Sequence, residues 1–349
     1  MDLHFTMPAP DEAAMRAARA QWDAVAHPLN SLGELERAIV RIAGVQRTRD
    51  VRLAPACALV FCGDHGVVRQ GVSQSGQEVT AAVARAIVGG TSNINLMAKP
   101  LGVRVVGVDM GMAIPVPGLV DCRLGAGTMD MTENSAMTLE QAERGLLAGM
   151  EQVRHLAREG ARILTVGEMG IGNTTAGTAL IAALTGKAVA PGRGAGLTDA
   201  GLSRKAQAIE RALRRHRAAV EAGPVQTLAA LGGFEIAGMA GAFLGGAAYG
   251  VPMVIDGMIS AAAALTAVRI CPEARYAMFA SHLSREPAAM AALGALALRP
   301  VIDADLALGE GTGALMLLPL LTMACAVYDG THTFGALGMA PYRALGGEG

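Results

Sequence analysis

The sequence predicts a doubly wound α/β fold around a mainly parallel sheet. From about residue 56, short and nearly continuous apolar runs alternate with longer stretches of helical periodicity, a pattern typical of strands that helices bury on both faces. The chain is 52% hydrophobic but only 3% aromatic, and it holds 45 glycines. A core of small and aliphatic side chains packed closely around backbone favours helices that lie tightly on a sheet. At 349 residues, one large domain with a smaller lobe is expected.

Two helices are predicted before the sheet begins. One face of the first carries apolar residues at helical spacing, namely Met15, Ala18, Trp22 and Val25. Asp11 precedes this face and is a candidate N-cap. Ser31 is the candidate cap of the second helix, because Glu34 follows three residues later as in a capping box.

The strands and helices of the large domain are predicted from the alternation itself. Strands are expected at residues 56–61, 103–108, 162–166, 252–255 and 276–280. Helices are expected at residues 77–87, 139–156, 176–184, 202–222 and 314–328. Residues 236–255 carry no charge and are long enough to span a bilayer, but Pro252 interrupts them and most are Ala or Gly. We therefore expect a buried helix followed by a buried strand there, and no membrane segment.

Charge and cysteine content narrow the classes of function. A net charge of -1 supplies no basic surface for nucleic acid, so the expected partners are small molecules. The five cysteines are scattered and form no C-x-x-C motif, which argues against disulfides and a zinc site and favours a reducing cytoplasm. Residues 1–5 lack the basic and apolar regions of a signal peptide, so secretion is not expected.

Polar residues collect where the predicted strands end. The positions are Asp64 with His65, Asp109, Glu168, Asp256, and Ser281 with His282. In an open parallel sheet the ligand crevice lies outside the carboxyl ends of the strands. The sequence therefore predicts a polar crevice along one rim of the sheet.

The glycine-rich stretch at residues 167–175 lies between a predicted strand and a predicted helix. Gly170 and Gly172 allow backbone N–H groups to converge, Asn173 or Thr174 can cap the helix, and a helix N-terminus attracts an anion. A tight turn before a well-capped helix is the other reading. No Lys-Ser or Lys-Thr pair follows as in a triphosphate-binding loop, and no acid follows at the spacing of an NAD site, so a monophosphate is favoured.

Two further glycine clusters follow. Residues 192–196 include Gly194 and, with Arg193 and the downstream Lys205, can supply charge to the same phosphate. Taken alone, this cluster is better explained as a flexible surface loop. Residues 308–313 place Glu310 between glycines, where a carboxylate can be pressed against a substrate as a general base. Glu310 and Glu168 each have an alternative role as structural acids.

Metal binding is not predicted. The seven histidines are spread along the chain and no metal-ligand motif occurs, so His65 and His282 are interpreted as structural groups at strand ends. The methionines are interpreted as core-filling residues.

The motifs together resemble one known family, the nicotinate-nucleotide:dimethylbenzimidazole phosphoribosyltransferases of cobalamin synthesis. The resemblance runs from about Ser31 to Phe334. It rests on the stretches at residues 64–67, 71–73, 77–80, 167–175, 232–237, 256–257, 281–282 and 308–314, in that order.

This resemblance implies a fold and an assembly. It implies a homodimer in which residues 55–300 form a large Rossmann-like domain. Residues 1–54 together with 301–349 form a small helical domain built from both chain ends.

The resemblance also implies a reaction and a set of site residues. Phosphoribose passes from nicotinate mononucleotide to an aromatic base acceptor, giving α-ribazole phosphate and nicotinate, without a metal or other cofactor. Glu310 matches the base that takes the acceptor proton, and Glu168 matches a second active-site carboxylate. The positions that match the phosphate and ribose site are Gly170, Gly172, Asn173, Thr174, Gly194 and Lys205. The positions that match the aglycone pocket are Ser73, Gln77 and Leu308.

The sequence departs from the family pattern near the acceptor. Ser75-Gly76 stands where members often have an aromatic residue and proline, and Asn30 stands where glycine is usual. The acceptor is 5,6-dimethylbenzimidazole or a related base, with a phenol or purine as the alternative. A non-catalytic nucleotide-binding paralogue and a nicotinamide-dependent oxidoreductase are the other functions considered.

Overall fold

The structure is a computed structural model that describes residues 7–342. The predicted absence of a signal peptide at residues 1–5 therefore concerns residues outside the described part. The same holds for residues 1–6 and 343–349 of the predicted small domain.

A parallel six-stranded sheet forms the centre of the fold. Its strands are β1 (Ala56–Gly63), β2 (Arg104–Gly111), β3 (Val120–Asp121), β4 (Ile163–Met169), β5 (Met253–Ile255) and β6 (Met278–Ala280). The order is β3-β2-β1-β4-β5-β6, and each neighbouring pair is parallel. The predicted doubly wound α/β fold and all five predicted strands are confirmed. β3 was missed because its two residues are exposed and form no apolar run.

The strand order places a reversal of winding direction between β1 and β4. In sheets of this kind the ligand crevice opens beyond the carboxyl ends of the strands at such a reversal. Phe61 of β1 lies opposite Glu168 of β4, so Glu168 stands at the carboxyl edge beside the reversal.

Helices cover both faces of the sheet. They are α1 (Glu12–Ala24), α2 (Glu34–Gln46), α3 (Glu78–Val88), α4 (Asn93–Ala98), α5 (Leu139–Arg158), α6 (Asn173–Thr185), α7 (Asp199–Arg215), α8 (Arg217–Ala222), α9 (Pro224–Leu231), α10 (Phe234–Tyr249), α11 (Met258–Ile270), α12 (Ala288–Leu296) and α13 (Thr312–Gly330). A second small parallel sheet pairs β7 (His282–Leu283) with β8 (Ile302–Asp303). The single helix predicted at 202–222 is two helices, because His216 leaves helical geometry and its ring binds the Met131 carbonyl at 2.8 Å.

Alternate residues of β1 face two separate apolar cores. Leu59 and Phe61 join the core that contains α10 and α11, whereas Ala58 and Val60 join the core that contains α1, α2 and α13. This alternation follows from the pleat of a strand, which sends successive side chains to opposite faces. Both faces are therefore buried, as the continuous apolar strands predicted.

The charge-free stretch at 236–255 folds as expected. It forms most of α10, the short turn after it and all of β5, and its apolar residues are buried except Ala248 and Tyr249 at the end of α10. Of the helices described, α13 is the one long and apolar enough to cross a membrane by length and composition. Leu315, Leu317 and Leu321 of α13 lie in the core shared with α1 and α2.

One of the two predicted N-caps at the chain start is confirmed. Asp11 accepts a hydrogen bond from the Ala14 N–H at 2.9 Å. The Ser31 cap is wrong, because α2 begins after Gly33, whose φ of 56° is left-handed. Glu36 reaches back instead and accepts from the Leu32 N–H at 2.9 Å.

The two chain ends meet beside the sheet. The Phe334 N–H donates to the Ala24 carbonyl at 3.0 Å, and the Trp22 and Tyr328 rings pack 5.1 Å apart. α13 also shares its core with the sheet. The division of the chain at residues 54 and 300 stays a prediction.

Candidate active site

A cavity of about 350 Å³ opens at the carboxyl edge of β4 and β5. Four acidic side chains line it: Glu168, Asp256, Glu286 and Glu310. Glu168, Asp256 and Glu310, which lie at strand ends or in a turn, are at least nine-tenths buried. The cavity also takes in the glycine turns at 170–174 and 194–195 and the segment 306–313. The strand-end crevice expected from the sequence therefore exists at this point of the sheet.

Not every strand-end polar group faces this cavity. Asp64 accepts from the Thr80 hydroxyl at 2.7 Å and from the Ala113 N–H at 2.8 Å. His65 binds the Glu235 carboxylate at 2.7 Å, and both side chains are fully buried. These groups hold the loops of the sheet edge together, in keeping with the structural reading of His65, whereas His282 lies in the cavity wall.

The turn that carries Glu310 has an unusual backbone. Gly309, Glu310 and Gly311 have φ values of 84°, 61° and 87°, so three successive residues are left-handed. A glutamate in this region is strained, at a cost of roughly 1–2 kcal/mol. The turn lies directly on β4, because a side chain added at Gly167 would come within 2.2 Å of the Gly311 nitrogen. The strain indicates that surrounding contacts impose the position of Glu310.

The Glu310 carboxylate is fixed by the first turn of α4. Its Oε1 accepts from the Asn93 side-chain amide at 2.8 Å, and its Oε2 accepts from the Ile94 N–H at 3.2 Å. Each carboxylate oxygen has a second lone pair, so both can still accept a proton. Glu310 thus binds the N-terminus of a helix distant in sequence. Sequence reasoning missed Asn93, which no local pattern marks.

Glu168 is buried beside other acids. Burial raises its pKa from 4.5 to about 8, and the nearby negative charge of Asp256 adds to the effect. The Asn173 side-chain amide donates to Glu168 Oε2 and opposes the shift. Glu168 therefore holds its proton at neutral pH, as a donor, unless a cation comes close to it.

This raised pKa predicts a pH-dependent stability. The folded chain keeps the Glu168 proton up to about pH 8, whereas the unfolded chain releases it near pH 4.5. Between these values the folded state binds more protons, so stability falls as pH rises, by at most about 1.4 kcal/mol per pH unit. Urea denaturation from pH 5 to 8 should show this fall in the wild type. The slope should be smaller in Glu168→Gln, and equal slopes would contradict the assignment.

The predicted anion site lies at the start of α6. Gly170, Asn173 and Thr174 line the main cavity, and a smaller cavity of about 70 Å³ adjoins it with Gly172 in its wall. The predicted cap is wrong: neither Asn173 nor Thr174 caps α6, whose N-cap is Gly172 at a φ of 98°. The Asn173 side chain donates to Glu168, and the Thr174 hydroxyl accepts from Lys205, so both side chains point toward other groups of the site.

Lys205 lies behind the anion site without exposure to solvent. Its Nζ donates to the Thr174 hydroxyl at 2.8 Å and to the Gly192 carbonyl at 2.9 Å. Burial lowers the pKa of Lys205 to about 8, and the nearby Glu286 opposes this shift. Glu286 accepts from the Gly194 N–H at 3.0 Å and lines the main cavity. The Lys205 ammonium group is therefore held next to both glycine turns, through Thr174 of one and Gly192 of the other. Sequence reasoning missed Glu286, which binds the Gly194 N–H and lies near Lys205.

The remaining predicted residues are divided between the two cavities. Gly194 lies in both, and Leu308 lies on the exposed rim of the larger one. Ser73 lines only the smaller cavity, and the Gln77 side chain donates to the His65 carbonyl at 3.2 Å. Arg193 is engaged by the Leu197 carbonyl and the Asp199 carboxylate. Ser73 and Gln77 therefore stand beside the main cavity and not in its wall.

Two other features of the described residues bear on the choice of site. A groove of about 510 Å³ lies between α6, α7 and α8, but its wall is mainly apolar and contains none of the strand-end acids. Within residues 7–342 no group of three or more His, Cys, Asp or Glu side chains is arranged to hold a metal ion. The acid-lined cavity at the sheet edge is therefore the candidate active site.

Comparison with known proteins gives consistent matches. A family model described as phosphoribosyltransferase matches residues 7–338. The chain is 43% identical over 335 residues to the nicotinate-nucleotide–dimethylbenzimidazole phosphoribosyltransferase of Roseiflexus sp. (strain RS-1), and 41% identical to that of Pseudomonas putida strain KT2440. Each match covers 95% of both chains. The crystal structure of CobT from Thermus thermophilus superposes with a TM-score of 0.89 at 41% identity, covering 95% of this chain and 100% of that one.

Proposed function

This chain belongs to the phosphoribosyltransferase family that its sequence matches from residue 7 to residue 338, and we propose that it acts on nicotinate mononucleotide. It transfers the phosphoribosyl group to a nitrogen of 5,6-dimethylbenzimidazole or a related base. The products are nicotinate and α-ribazole phosphate, the precursor of the nucleotide loop of cobalamin.

One observation carries this proposal. A single cavity at the reversal point of the sheet holds the Glu310 carboxylate, the Glu168 carboxyl group and the glycine turns above Lys205. The reaction needs a base for the acceptor and an anchor for a phosphate, and this cavity offers both. Relatives with the proposed activity in their names are 40–43% identical over 95% of the chain.

The nucleotide phosphate binds at the start of α6 in this proposal. Gly170, Gly172, Asn173 and Thr174 supply the turn and the helix N-terminus, where backbone N–H groups favour an anion. Gly194 faces them from the opposite loop. The Lys205 ammonium lies behind Thr174 and adds the positive charge that a phosphate ester requires.

The transfer then requires that the acceptor and the ribose C1′ are held in the right orientation and that the acceptor nitrogen becomes a stronger nucleophile. Nicotinate joined to C1′ of the ribose through its ring nitrogen is a pyridinium, so the C1′–N bond breaks with its electron pair returning to that nitrogen. One azole nitrogen attacks C1′ from the opposite face, and the proton on the other azole nitrogen passes to Glu310. The glycosidic configuration inverts from β to α. Holding both reactants in one cavity supplies much of the rate.

Glu168 faces the reacting centre in the same scheme. A bound pyridinium or a ribose with oxocarbenium character places positive charge near this carboxyl group, which favours its ionised form. Glu168 then stabilises the charge that develops in the transition state. The proton that it holds in the free protein leaves as the positively charged pyridinium ring of the substrate binds beside it.

The acceptor site lies on the Glu310 side of the cavity. Leu308 forms its rim, and Val79 and Met316 supply apolar wall. Ser73 and Gln77, which the family resemblance assigns to this pocket, lie outside the wall of the main cavity. Among the described residues that line this cavity there is no Phe, Tyr or Trp side chain. Aliphatic and sulfur contacts with the acceptor ring therefore take the place of ring stacking, which leaves room for a range of bases.

The direct test is an acceptor panel. Purified protein is incubated with nicotinate mononucleotide and, in turn, 5,6-dimethylbenzimidazole, other benzimidazoles, purines and phenols, and released nicotinate is measured by chromatography. We expect release that depends on the acceptor and is fastest with a benzimidazole. A preference for purines or phenols would change the acceptor class. No turnover with any acceptor, together with nucleotide binding by calorimetry, would favour a non-catalytic paralogue.

The proposal extends to assembly and location. We place the protein in the cytoplasm as a homodimer, with neither nucleic acid nor a membrane as partner. The five scattered cysteines are compatible with a reducing compartment. Light scattering coupled to gel filtration measures the molar mass, and a monomer at micromolar concentration would contradict the dimer.

A further inference from the structure

The Glu310 turn is strained, and the contacts of Glu310 with α4 hold only its side chain. Something else must hold the backbone of the turn, which passes through three left-handed residues before α13 begins. The Gly311 N–H of this turn and the Ala314 N–H of α13 both donate to one buried side chain at the end of β5.

We propose that Asp256 is a positioning residue that clamps the Glu310 turn to the end of β5. Its Oδ2 accepts from the Gly311 N–H at 3.2 Å, and its Oδ1 accepts from the Ala314 N–H at 2.9 Å. One carboxylate therefore holds the residue directly after Glu310 and the first turn of α13 together. The role rests on the proposed function of Glu310 as the base.

The clamp is itself fixed to the sheet. The Asp256 N–H donates to the Ser260 hydroxyl at 3.2 Å, and that hydroxyl donates to the Val166 carbonyl of β4 at 2.9 Å. Val166 lies two residues before Glu168. The two acids of the proposed mechanism are thus held against the same strand, one directly and one through Asp256.

The Glu310 turn is packed closely against its neighbours on two sides, so small movements of its backbone are blocked as long as Asp256 holds it. A side chain added at Gly313 would come within 2.2 Å of the His282 ring and 3.0 Å of Asp256 Oδ1. On the β4 side, Gly167 makes comparably close contact with Gly311. Loss of the clamp would let the left-handed backbone relax and move the Glu310 carboxylate, and a misplacement of about 1 Å costs on the order of a hundredfold in rate.

Asp256 also acts on Glu168 through its charge. It is the acid that contributes most to the raised pKa of Glu168 after burial, ahead of Glu235 and Glu310. The Asn173 amide faces Glu168 and lowers that pKa. Burial raises the pKa of Asp256 itself, and His282, which faces Asp256 on its other side, opposes this shift. Neutralising Asp256 should therefore lower the pKa of Glu168, an effect that a purely structural residue would not produce.

The test is Asp256→Asn, which keeps the shape but leaves one oxygen to accept from two N–H groups. We expect kcat to fall about ten- to a hundredfold, with the dissociation constant for nicotinate mononucleotide within about threefold. The pH profile of the free enzyme should shift toward lower pH on the limb that reports Glu168. Hydrogen exchange of the Gly311 and Ala314 amides should speed up relative to the wild type.

Asp11→Asn is the matched control, because Asp11 also caps a helix at 2.9 Å but lies at the start of α1, away from the cavity. It should leave kcat unchanged and cost little thermal stability, because asparagine caps a helix about as well as aspartate. Ser260→Ala, which removes only the support of the clamp, should lower kcat about three- to tenfold and serves if Asp256→Asn does not fold.

Two results would overturn the proposal. In the first, kcat stays at the wild-type value with both amides still protected; in the second, kcat and nucleotide affinity fall together with no shift of the pH profile. Hydrogen exchange can be measured without turnover. If the wild type is inactive with every acceptor but the two amides still exchange faster in Asp256→Asn, the proposed function is wrong and the role of Asp256 in holding the turn still stands.

Discussion

Glu310→Gln should lower kcat by on the order of a hundredfold or more while nucleotide binding stays nearly intact. The amide is the same size and its oxygen can still accept one of the bonds from Asn93 and Ile94. It cannot take a proton from the acceptor. Glu310→Gln should therefore lower kcat with 5,6-dimethylbenzimidazole as acceptor. Its affinity for nicotinate mononucleotide, which calorimetry measures, should stay close to that of the wild type.

A comparison with Glu36→Gln provides the control for loss of a structural acid. Glu36 is also buried and accepts a backbone N–H, but it lies in α2, away from the cavity. Its replacement should affect thermal stability alone. If Glu310→Gln instead loses nucleotide affinity and stability in proportion to activity, Glu310 is a structural acid of α4 and α13 and the assignment as base is wrong.

Lys205→Met should weaken binding of nicotinate mononucleotide by roughly 10- to 100-fold, the usual value of a hydrogen bond to a charged group. Methionine fills similar space without the charge. The effect should be confined to the phosphate, so the affinity for the phosphate-free riboside should change little. Calorimetry with the two ligands on both proteins isolates the phosphate contribution as a double difference.

The pH dependence of nucleotide affinity gives a second test of the charge on Lys205. With its pKa lowered to about 8 by burial, Lys205 loses its charge in the wild type as pH rises past that value, unless the bound phosphate holds the proton. Nucleotide affinity should therefore weaken at alkaline pH in the wild type more than in Lys205→Met. An equal loss for nucleotide and riboside would show that Lys205 only supports the Gly192 loop.

Much of the fold and the candidates for the site were accessible from local patterns. Continuous apolar runs identified five of the six strands of the main sheet, because strands buried on both faces lack an alternation with polar residues. The strand ends then identified Glu168 and Asp256, and glycine spacing identified Glu310. The capping residues of α2 and α6 were predicted wrongly, since Ser31 and Asn173 find other partners once the chain is packed.

The sequence by itself determined the parallel sheet and predicted the glycine turns and the two candidate acids, because these signals are local apolar runs and glycine spacings. Only the tertiary structure decided how the acids are held. Asn93 binds Glu310 across 217 positions, and Asp256 reaches the Glu310 turn across 55. The proton on Glu168 likewise results from burial among acids from other strands, and the free energy of that burial exists only once the chain has packed.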